Sequence, residues 1–246
     1  MNNTTLIGLS RQVTMRRELD VIANNVANIT TTGFKRRGST FMEYLMPVAS
    51  ADTMRGSQKK LSYVADDAGI LDLSGGAIDR TGNPLDVALR GNGLIAVSTP
   101  AGERYTRDGA FVLNPAGTLV TQGGHPVLTD QGPLTFTLAD GDIRIASDGT
   151  ISTAQGARGK LRLVDAAEPR MFENVGGNLY RALRPVGPAP LGVRLESGAL
   201  ERSNVNPTVE ISRLIELNRS YGSIAQMLQR TDEMRRSTLS RLAEAA

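Results

Sequence analysis

The two ends of the chain carry long helical patterns, and the turn-forming residues lie between them. Residues 2–30 and 206–243 each place apolar side chains three and four residues apart, which is the spacing of one face of an α-helix. The middle of the chain is punctuated by Gly, Pro, Asn and Asp. These patterns predict an α+β protein with paired coiled-coil-type helices at its N- and C-terminal ends and a central all-β domain.

The C-terminal helix has a well-marked start and a clear seam. Asn206 can cap the free N–H groups, Pro207 suits the first helical position, and Glu210 suits the positive first turn. We therefore expect the helix to begin near residue 207. Its apolar positions alternate in spacing like a heptad seam: Leu214, Leu217, Tyr221, Ile224 and Leu228. A second stripe, displaced by one residue, predicts a second partner: Met227, Thr231, Met234 and Thr238.

The N-terminal helix carries two apolar stripes. At about 100° per residue the stripes are roughly 150° apart, so one neighbour cannot cover both. We predict intermolecular assembly, with packing inside the same globule as the alternative. The first stripe is Leu6, Leu9 and Val13, and the second is Met15, Leu19, Ile22, Val26 and Ile29.

Polar residues mark the end of this helix. Asn24, Asn25 and Asn28 lower helix propensity unless their amides are used elsewhere. On a helix surrounded by its copies they would bond neighbouring backbones and reject wrong registers, whereas the alternative leaves them facing solvent. Gly33 is predicted to follow the helix as its C′ residue. The basic run that starts at Lys35 is interpreted as a solvated partner of the helix dipole.

The middle of the chain is predicted to consist of short strands. Leu85, Val87 and Leu89 alternate with other residues, the turn 91–93 follows, and residues 147–149 suit a hairpin turn. Strand spacing of about 8–12 residues indicates a barrel-like or sandwich-like domain. Further strands are expected at 94–99, 110–113, 119–121, 134–138, 143–145, 151–153 and 161–164. The predicted segments are an N-terminal helix at 1–35, an extended connector at 36–80, a β-rich outer domain at 81–200 and a C-terminal helix at 201–246.

Composition excludes several classes of protein. The net charge of +3 on 246 residues does not indicate a nucleic-acid partner, and the absence of cysteine excludes disulfides and thiolate chemistry. No window approaches the ~20 apolar residues of a membrane span, so no direct membrane insertion is expected. The N-terminus also lacks the apolar core of a cleaved secretory signal.

Several short sequence strings suggest catalysis, but each lacks a feature that the catalytic site would require. Residues 91–96 fit G-x-G-x-x-A, but a β-prone run follows where a dinucleotide fold needs a helix. His125 is the only histidine, so it cannot join a second one at a metal. The carboxylate pairs could serve glycosidic cleavage, although Asp-Gly also suits tight turns. We predict no enzyme, cofactor or metal site. The pairs are Asp66 with Asp67 and Asp140 with Asp142.

Three blocks of sequence resemble the flagellar basal-body rod and hook family, most closely its proximal-rod members. They are residues 23–35 (ANNVANITTTGFK), residues 81–93 (TGNPLDVALRGNG) with 105–109 (YTRDG), and residues 203–210 (SNVNPTVE) with the run to Tyr221. The chain departs from the family pattern at Gly222 and at residues 94–95.

The resemblance implies a structural subunit of the proximal rod that polymerises through its terminal helices into the axial drive shaft. Implied partners are other copies, neighbouring rod proteins and the flagellar export apparatus. The implied location is the periplasmic rod of the basal body, reached by type III export. The alternatives are a distal-rod or hook-type axial subunit, a peptidoglycan-remodelling hydrolase of rod assembly, and a secretion adaptor.

The helical stripes and the asparagines give a predicted assembly interface. Leu217→Asp is expected to block rod incorporation, and Glu201→Lys, outside the helices, is expected to do far less. The predicted interface residues are Leu9, Val13, Leu19, Ile22, Asn24, Asn25, Val26, Asn28, Leu214, Leu217, Tyr221, Ile224 and Leu228.

Overall fold

The computed structural model of the protein describes residues 3–46 and 61–244. The chain forms two compact units. The first contains the described residues up to Val26, the segment Arg37–Ile70 and the chain from Pro207 onward, while the second contains Ala27–Arg36 and Leu71–Asn206. The α+β class is confirmed, because helices dominate the first unit and short strands the second.

The first unit is built from two helices and one pair of strands. Helix α1 spans Asn3–Ala27 and helix α2 spans Pro207–Glu244, so the predicted start of the C-terminal helix is confirmed. Strand β1 (Arg37–Met46) pairs with strand β2 (Leu61–Leu71) in a two-stranded sheet. Part of the predicted connector therefore forms strands, and residues 47–60 of it lie outside the described residues.

The residues of α1 and α2 that contact each other follow opposite orders along the two helices. The Asn25 amide bonds Glu210, the charge of Glu18 interacts with Arg213, and Gly8 packs against Leu228. As the residue number falls along α1 it rises along α2, so the helices are antiparallel neighbours.

The two apolar stripes of α1 differ in burial. Ile22 is buried, and Met15, Leu19, Val26 and Ile29 of the same stripe are partly buried. Leu9 and Val13 of the other stripe are 53% and 47% exposed. The side chain of Leu6 is outside the described part of the structure. The heptad seam of α2 is partly buried at all its positions: Leu214, Leu217, Tyr221, Ile224 and Leu228.

The end of α1 differs from the prediction. The helix ends at Ala27, six residues before Gly33. The Thr31 N–H donates to the Asn28 carbonyl oxygen at 3.2 Å, and the Thr31 hydroxyl lies 3.0 Å from Asn28 Oδ1. These local bonds compete with helix bonds, as is typical of Asn and Thr.

The second unit is made of short antiparallel strands. In chain order they are β3 (Ile78–Arg80), β4 (Val87–Arg90), β5 (Gly93–Thr99), β6 (Gly102–Thr106), β7 (Phe111–Leu113), β8 (Leu119–Thr121), β9 (Leu128–Thr129), β10 (Gly132–Pro133), β11 (Arg144–Ile145), β12 (Thr150–Thr153), β13 (Gly156–Lys160), β14 (Leu163–Asp165), β15 (Phe172–Gly176), β16 (Leu179–Ala182), β17 (Arg194–Ser197) and β18 (Ala199–Glu201). Five of them form a sheet in the order β14-β5-β6-β16-β15, and other pairs include β3 with β18 and β4 with β17.

Strand β5 lies between two hydrophobic cores. Ile95 and Val97 belong to one core, while Leu94 and Ala96 belong to the other. All four side chains are completely buried. Successive side chains of a strand point to opposite faces, so this sheet is covered on both sides at its centre.

Most predicted strands are confirmed, with shifted ends. The turn at residues 147–149 is also confirmed, since it joins β11 to β12 and the Ala146 N–H donates to the Thr150 carbonyl at 2.8 Å. The predicted strand at 134–138 is wrong, because its end forms a 3-10 turn at Leu138–Asp140 in which Asp140 bonds the Thr137 N–H and hydroxyl. The strands that the sequence did not indicate are β1 to β3, β6, β9, β10, β13 and β15 to β18.

Candidate functional site

Residues from two of the sequence blocks and one residue just before the third form a buried ionic cluster in the second unit. Lys35 comes from the first block, Arg107 from the second, and Glu201 ends β18 just before the third. Their side chains are at most 1% exposed. We call these three residues the ionic junction.

One carboxylate serves both cations of the ionic junction. Lys35 Nζ lies 2.6 Å from Glu201 Oε1, and Arg107 Nε lies 2.7 Å from Glu201 Oε2. The Gly76 N–H also donates to Oε1 at 2.8 Å. Carbonyl oxygens accept further donors: Ser74 from Lys35, and Gly93 and Leu89 from Arg107. Buried charges persist only when they are paired and bonded in this way.

The ion pair between Lys35 and Glu201 affects the pKa of each residue. Burial lowers the pKa of Lys35, and attraction to Glu201 offsets this only in part. Burial alone would raise the pKa of Glu201, but the charges of Arg107 and Lys35 outweigh it and hold that pKa below its usual value. The carboxylate is therefore the group that holds the cluster together at neutral pH.

Asn204 bonds the neighbouring backbone. Its Oδ1 accepts the Arg36 N–H at 2.7 Å, and its Nδ2 donates to the carbonyls of Asp72 at 2.9 Å and Ser74 at 3.1 Å. The Asp72 N–H in turn donates to the Arg36 carbonyl at 2.9 Å. Three segments distant in sequence are thus joined by one amide.

Gly33 closes the same region through its backbone. Its φ is +65°, and its N–H donates to the Glu201 carbonyl at 2.7 Å. A Cβ atom here would lie 2.5 Å from the carbonyl carbon of Arg107. The glycine that sequence reasoning assigned to a helix end is required instead for close packing against the second block.

Two sequence interpretations are wrong at the ionic junction. Lys35 is not a solvated partner of the helix dipole, because it is completely buried against Glu201. Glu201 cannot be a tolerant position, because it neutralises two buried cations. The three residues lie far apart in sequence, so no local pattern could pair them. The only available signal was that charged residues lie in or next to each block.

The predicted interface residues fall into three groups. Leu9 and Val13 are exposed, as a contact surface requires, and so is Asn24. Ile22 and Asn25 are buried within the chain. The partly buried members are Leu19, Val26, Asn28, Leu214, Leu217, Tyr221, Ile224 and Leu228.

Sequence reasoning missed an apolar pair on α2. Ile211 and Ile215 are 46% and 49% exposed, one helical turn apart. Neither residue belongs to the heptad seam, so heptad spacing does not identify them. Counting apolar pairs four residues apart on every face would have found them.

Two of the strings that suggested catalysis lie in turns. The turn at residues 91–93 leads into β5, with Gly91 at a φ of +95°. His125 lies in the turn between β8 and β9, where its N–H donates to the Thr121 hydroxyl at 3.2 Å. Asp66 and Asp67 lie in β2, and their side chains are outside the described part. Within the described residues, no group of His, Cys, Asp and Glu could hold a metal ion, and neither helix could span a membrane.

Comparison with known proteins agrees with the positions of the blocks. Residues 6–35 match the family model "Flagella basal body rod protein", residues 88–153 match "Flagellar hook protein FlgE/F/G D1 domain", and residues 196–242 match "Flagellar basal body rod FlgEFG protein C-terminal". The flagellar basal-body rod protein FlgF of Caulobacter vibrioides is 40% identical over 246 residues, covering 99% of both chains. The chain belongs to the flagellar basal-body rod family.

Other relatives in the rod family carry two names. FlgG of Bacillus subtilis is 33% identical, covering 92% of this chain and 94% of its own. FlgF of Escherichia coli is 33% identical, covering 87% of both chains. Membership makes the chain a structural rod protein of the flagellar basal body and not an enzyme. At residues 94–95, where it departs from the family pattern, both side chains fill cores of the β-rich unit.

Proposed function

We propose that this chain polymerises through its terminal helices into the axial drive shaft of the proximal rod. The observation that supports this most directly is the apolar surface left on both helices, at Leu9 and Val13 on α1 and at Ile211 and Ile215 on α2. Apolar pairs one turn apart form a stripe that another helix can cover.

The energy of covering these stripes favours assembly. Removing the remaining half of a Leu, Val or Ile side chain from water contributes roughly 1 kcal/mol. Four such residues in each subunit, repeated along a helical polymer, give many contacts that act together. A head-to-tail interface whose screw operation does not close produces an axial filament, and torque passes through its contacts in parallel.

The same proposal covers the finer features of the molecule. The α1 and α2 helices form a coiled-coil-type core with those of neighbouring copies and of other rod proteins, and the β-rich unit forms the outer layer. The subunit reaches the periplasmic part of the basal body through the flagellar export apparatus, without a cleaved signal. The segment 36–80 acts as a connector in this arrangement.

A distal-rod subunit is the second candidate. It stays open because the relatives of this chain include rod proteins of two names, FlgF and FlgG. The position of this chain in an image reconstruction of the intact basal body distinguishes the two candidates.

The proposal is tested by making one stripe polar. Leu9→Gln with Val13→Gln removes the apolar surface of α1 without touching its packed face. Val112→Gln is the matched control, because Val112 is 45% exposed but lies on β7. Each variant is expressed in a strain that lacks the gene. We expect the α1 variant to be exported, folded and absent from purified rods, with loss of motility, while the control assembles. Normal rods from the α1 variant would overturn the proposal.

A further inference from the structure

The Asn25 amide lies where three segments of the helical unit meet. Asn25 is completely buried, and Glu210 is 1% exposed. Asn25 Oδ1 accepts the Arg37 N–H at 3.0 Å, and Nδ2 donates to the Arg37 carbonyl at 2.9 Å and to Glu210 Oε2 at 3.2 Å. Both amide hydrogens are therefore used, one on the backbone at the start of β1 and one on the first turn of α2.

The apolar seam of α2 cannot by itself fix how α1 lies along it. The seam repeats, so a shift of seven residues places Tyr221 where Leu214 was and Ile224 where Leu217 was. Ile224 in place of Leu217 preserves volume and is tolerated, and Tyr221 in place of Leu214 keeps a large ring at the seam whose hydroxyl can reach solvent at the edge. The seam therefore allows a shifted register or pairing with another copy of the chain.

The polar pair does not tolerate such a shift. Leu217 follows Glu210 by seven residues, so the same shift would bring Leu217 opposite the Asn25 amide. The amide hydrogen would lose its buried acceptor and the carboxylate would lose this buried donor, and breaking a buried hydrogen bond without replacing it is strongly disfavoured. A single buried asparagine is known to fix the register of helix pairs for this reason.

We infer that Asn25 and Glu210 specify the register in which α1 pairs with α2 of its own chain. Asn25 is a positioning and specificity-determining residue, and its amide acts within the subunit. The inference rests on the pairing of the two helices in one chain and does not depend on assembly of the rod.

The test exploits the absence of cysteine from the chain. A Cβ atom at Gly8 would lie 2.6 Å from Leu228 Cδ2, so a pair of cysteines at positions 8 and 228 reports the observed register. Cysteines at positions 8 and 235 report the register shifted by seven residues. Each pair is placed in the full-length chain with Asn25, with Asn25→Leu and with Asn24→Leu. The neighbouring Asn24 is exposed and is the matched control.

With Asn25 or with Asn24→Leu, we expect oxidation to trap only the 8–228 pair. With Asn25→Leu, the shifted 8–235 pair should form at least tenfold faster than in the parent. Mixing tagged and untagged chains separates crosslinks within a chain from those between copies, and both kinds should rise. Trapping of the 8–228 pair alone in Asn25→Leu, as in the control, would overturn the inference.

A second variant covers failure of Asn25→Leu to fold. Glu210→Leu removes the partner on α2 and leaves α1 unchanged, and it should release the shifted pair in the same way. Circular dichroism shows whether the helices have formed in each variant. If both variants are helical and remain in the observed register, the polar pair does not specify it. Loss of motility is not a readout here, so failure of the proposed rod function leaves this test intact.

Discussion

The β-rich unit and the helical unit differ in how completely they bury their apolar side chains. The β-rich unit hides its apolar residues almost completely, and Val87, Ile95 and Leu119 have no exposed surface. The helical unit buries Ile22 but leaves Leu9 and Ile215 about half exposed. The first arrangement needs no partner, whereas the second gains stability when another helix covers it. One chain thus combines a self-sufficient unit with an incomplete one.

The two units also treat buried polar groups differently. The β-rich unit buries three charges at the ionic junction, where a charge left without its partner costs several kcal/mol. The helical unit buries the Asn25 amide against Glu210. We expect substitutions of equal size to affect stability far more in the β-rich unit, and the helical unit to show its defects mainly in assembly.

The largest effect should come from Glu201→Leu. This change leaves Lys35 and Arg107 buried without a counter-charge, which should lower the free energy of unfolding by about 3–5 kcal/mol. Glu196→Leu is the control, because Glu196 pairs with the exposed Arg90 and such a pair contributes less than about 1 kcal/mol. Urea unfolding of both variants measures the difference. Equal stability of the two variants would show that the ionic junction contributes nothing special.

A smaller loss is expected from Gly109→Ala. A Cβ atom at this position would lie 1.8 Å from the Val87 carbonyl oxygen, so the backbone of β4 must move. Strain of this kind costs roughly 1–3 kcal/mol. Gly187→Ala, where a Cβ would meet nothing within 4 Å, is the matched control. Thermal unfolding should separate the two, and a neutral Gly109→Ala would mean that the β-rich unit packs more loosely than its burial indicates.

Within the helical unit, Leu217→Ala and Ile215→Ala should separate stability from assembly. Leu217 is on the partly buried seam, so its truncation should cost roughly 1 kcal/mol of helix stability. Ile215 is exposed, so its truncation should change stability by less than about 0.5 kcal/mol while weakening recovery of rods. Circular dichroism and rod purification measure the two effects. If Ile215→Ala destabilised the monomer more than Leu217→Ala, the assignment of the two faces would be reversed.

The sequence predicted the helical unit better than the β-rich unit because helical signals are local. Pro207 and the seam at Leu214 and Leu217 defined α2 from neighbours a few residues away. Strands β17 and β18 instead pair with β4 and β3, more than 100 residues earlier, and nothing near Leu195 or Leu200 in sequence indicates those partners.

The same limit applied to the candidate sites. The exposed stripe at Leu9 and Val13 followed from periodicity, since both residues belong to one helical face. The ionic junction could not be predicted from periodicity, because Lys35 and Glu201 are 166 positions apart and only the fold brings them together. Charged residues such as these are mostly exposed in proteins, so composition alone favoured the wrong interpretation.

The smallest effect concerns pH, and its sign should differ between the units. Burial raises the pKa of Glu18, the charge of Arg213 opposes the shift and that of Glu216 adds to it. The native state therefore takes up this proton first, and the helical unit gains stability as pH falls through the native pKa of Glu18 towards the usual value near 4.5. The gain should be below about 0.5 kcal/mol, because Glu18 is only partly buried.

Glu201 should have the opposite effect. Its pKa is held below the usual value by Arg107 and Lys35, so its contribution is complete above about pH 4.5 and is lost as pH falls through its lower native pKa. Segment-resolved hydrogen exchange, corrected for intrinsic rates and measured between about pH 3 and pH 7, follows both units in one sample. Glu18→Gln should abolish the acid-side gain in residues 15–22 and leave the exchange of residues 195–205 unchanged. A gain that persisted in Glu18→Gln would assign it to another carboxylate, and β-rich residues that gained protection in acid would contradict the role of the shared carboxylate at the ionic junction.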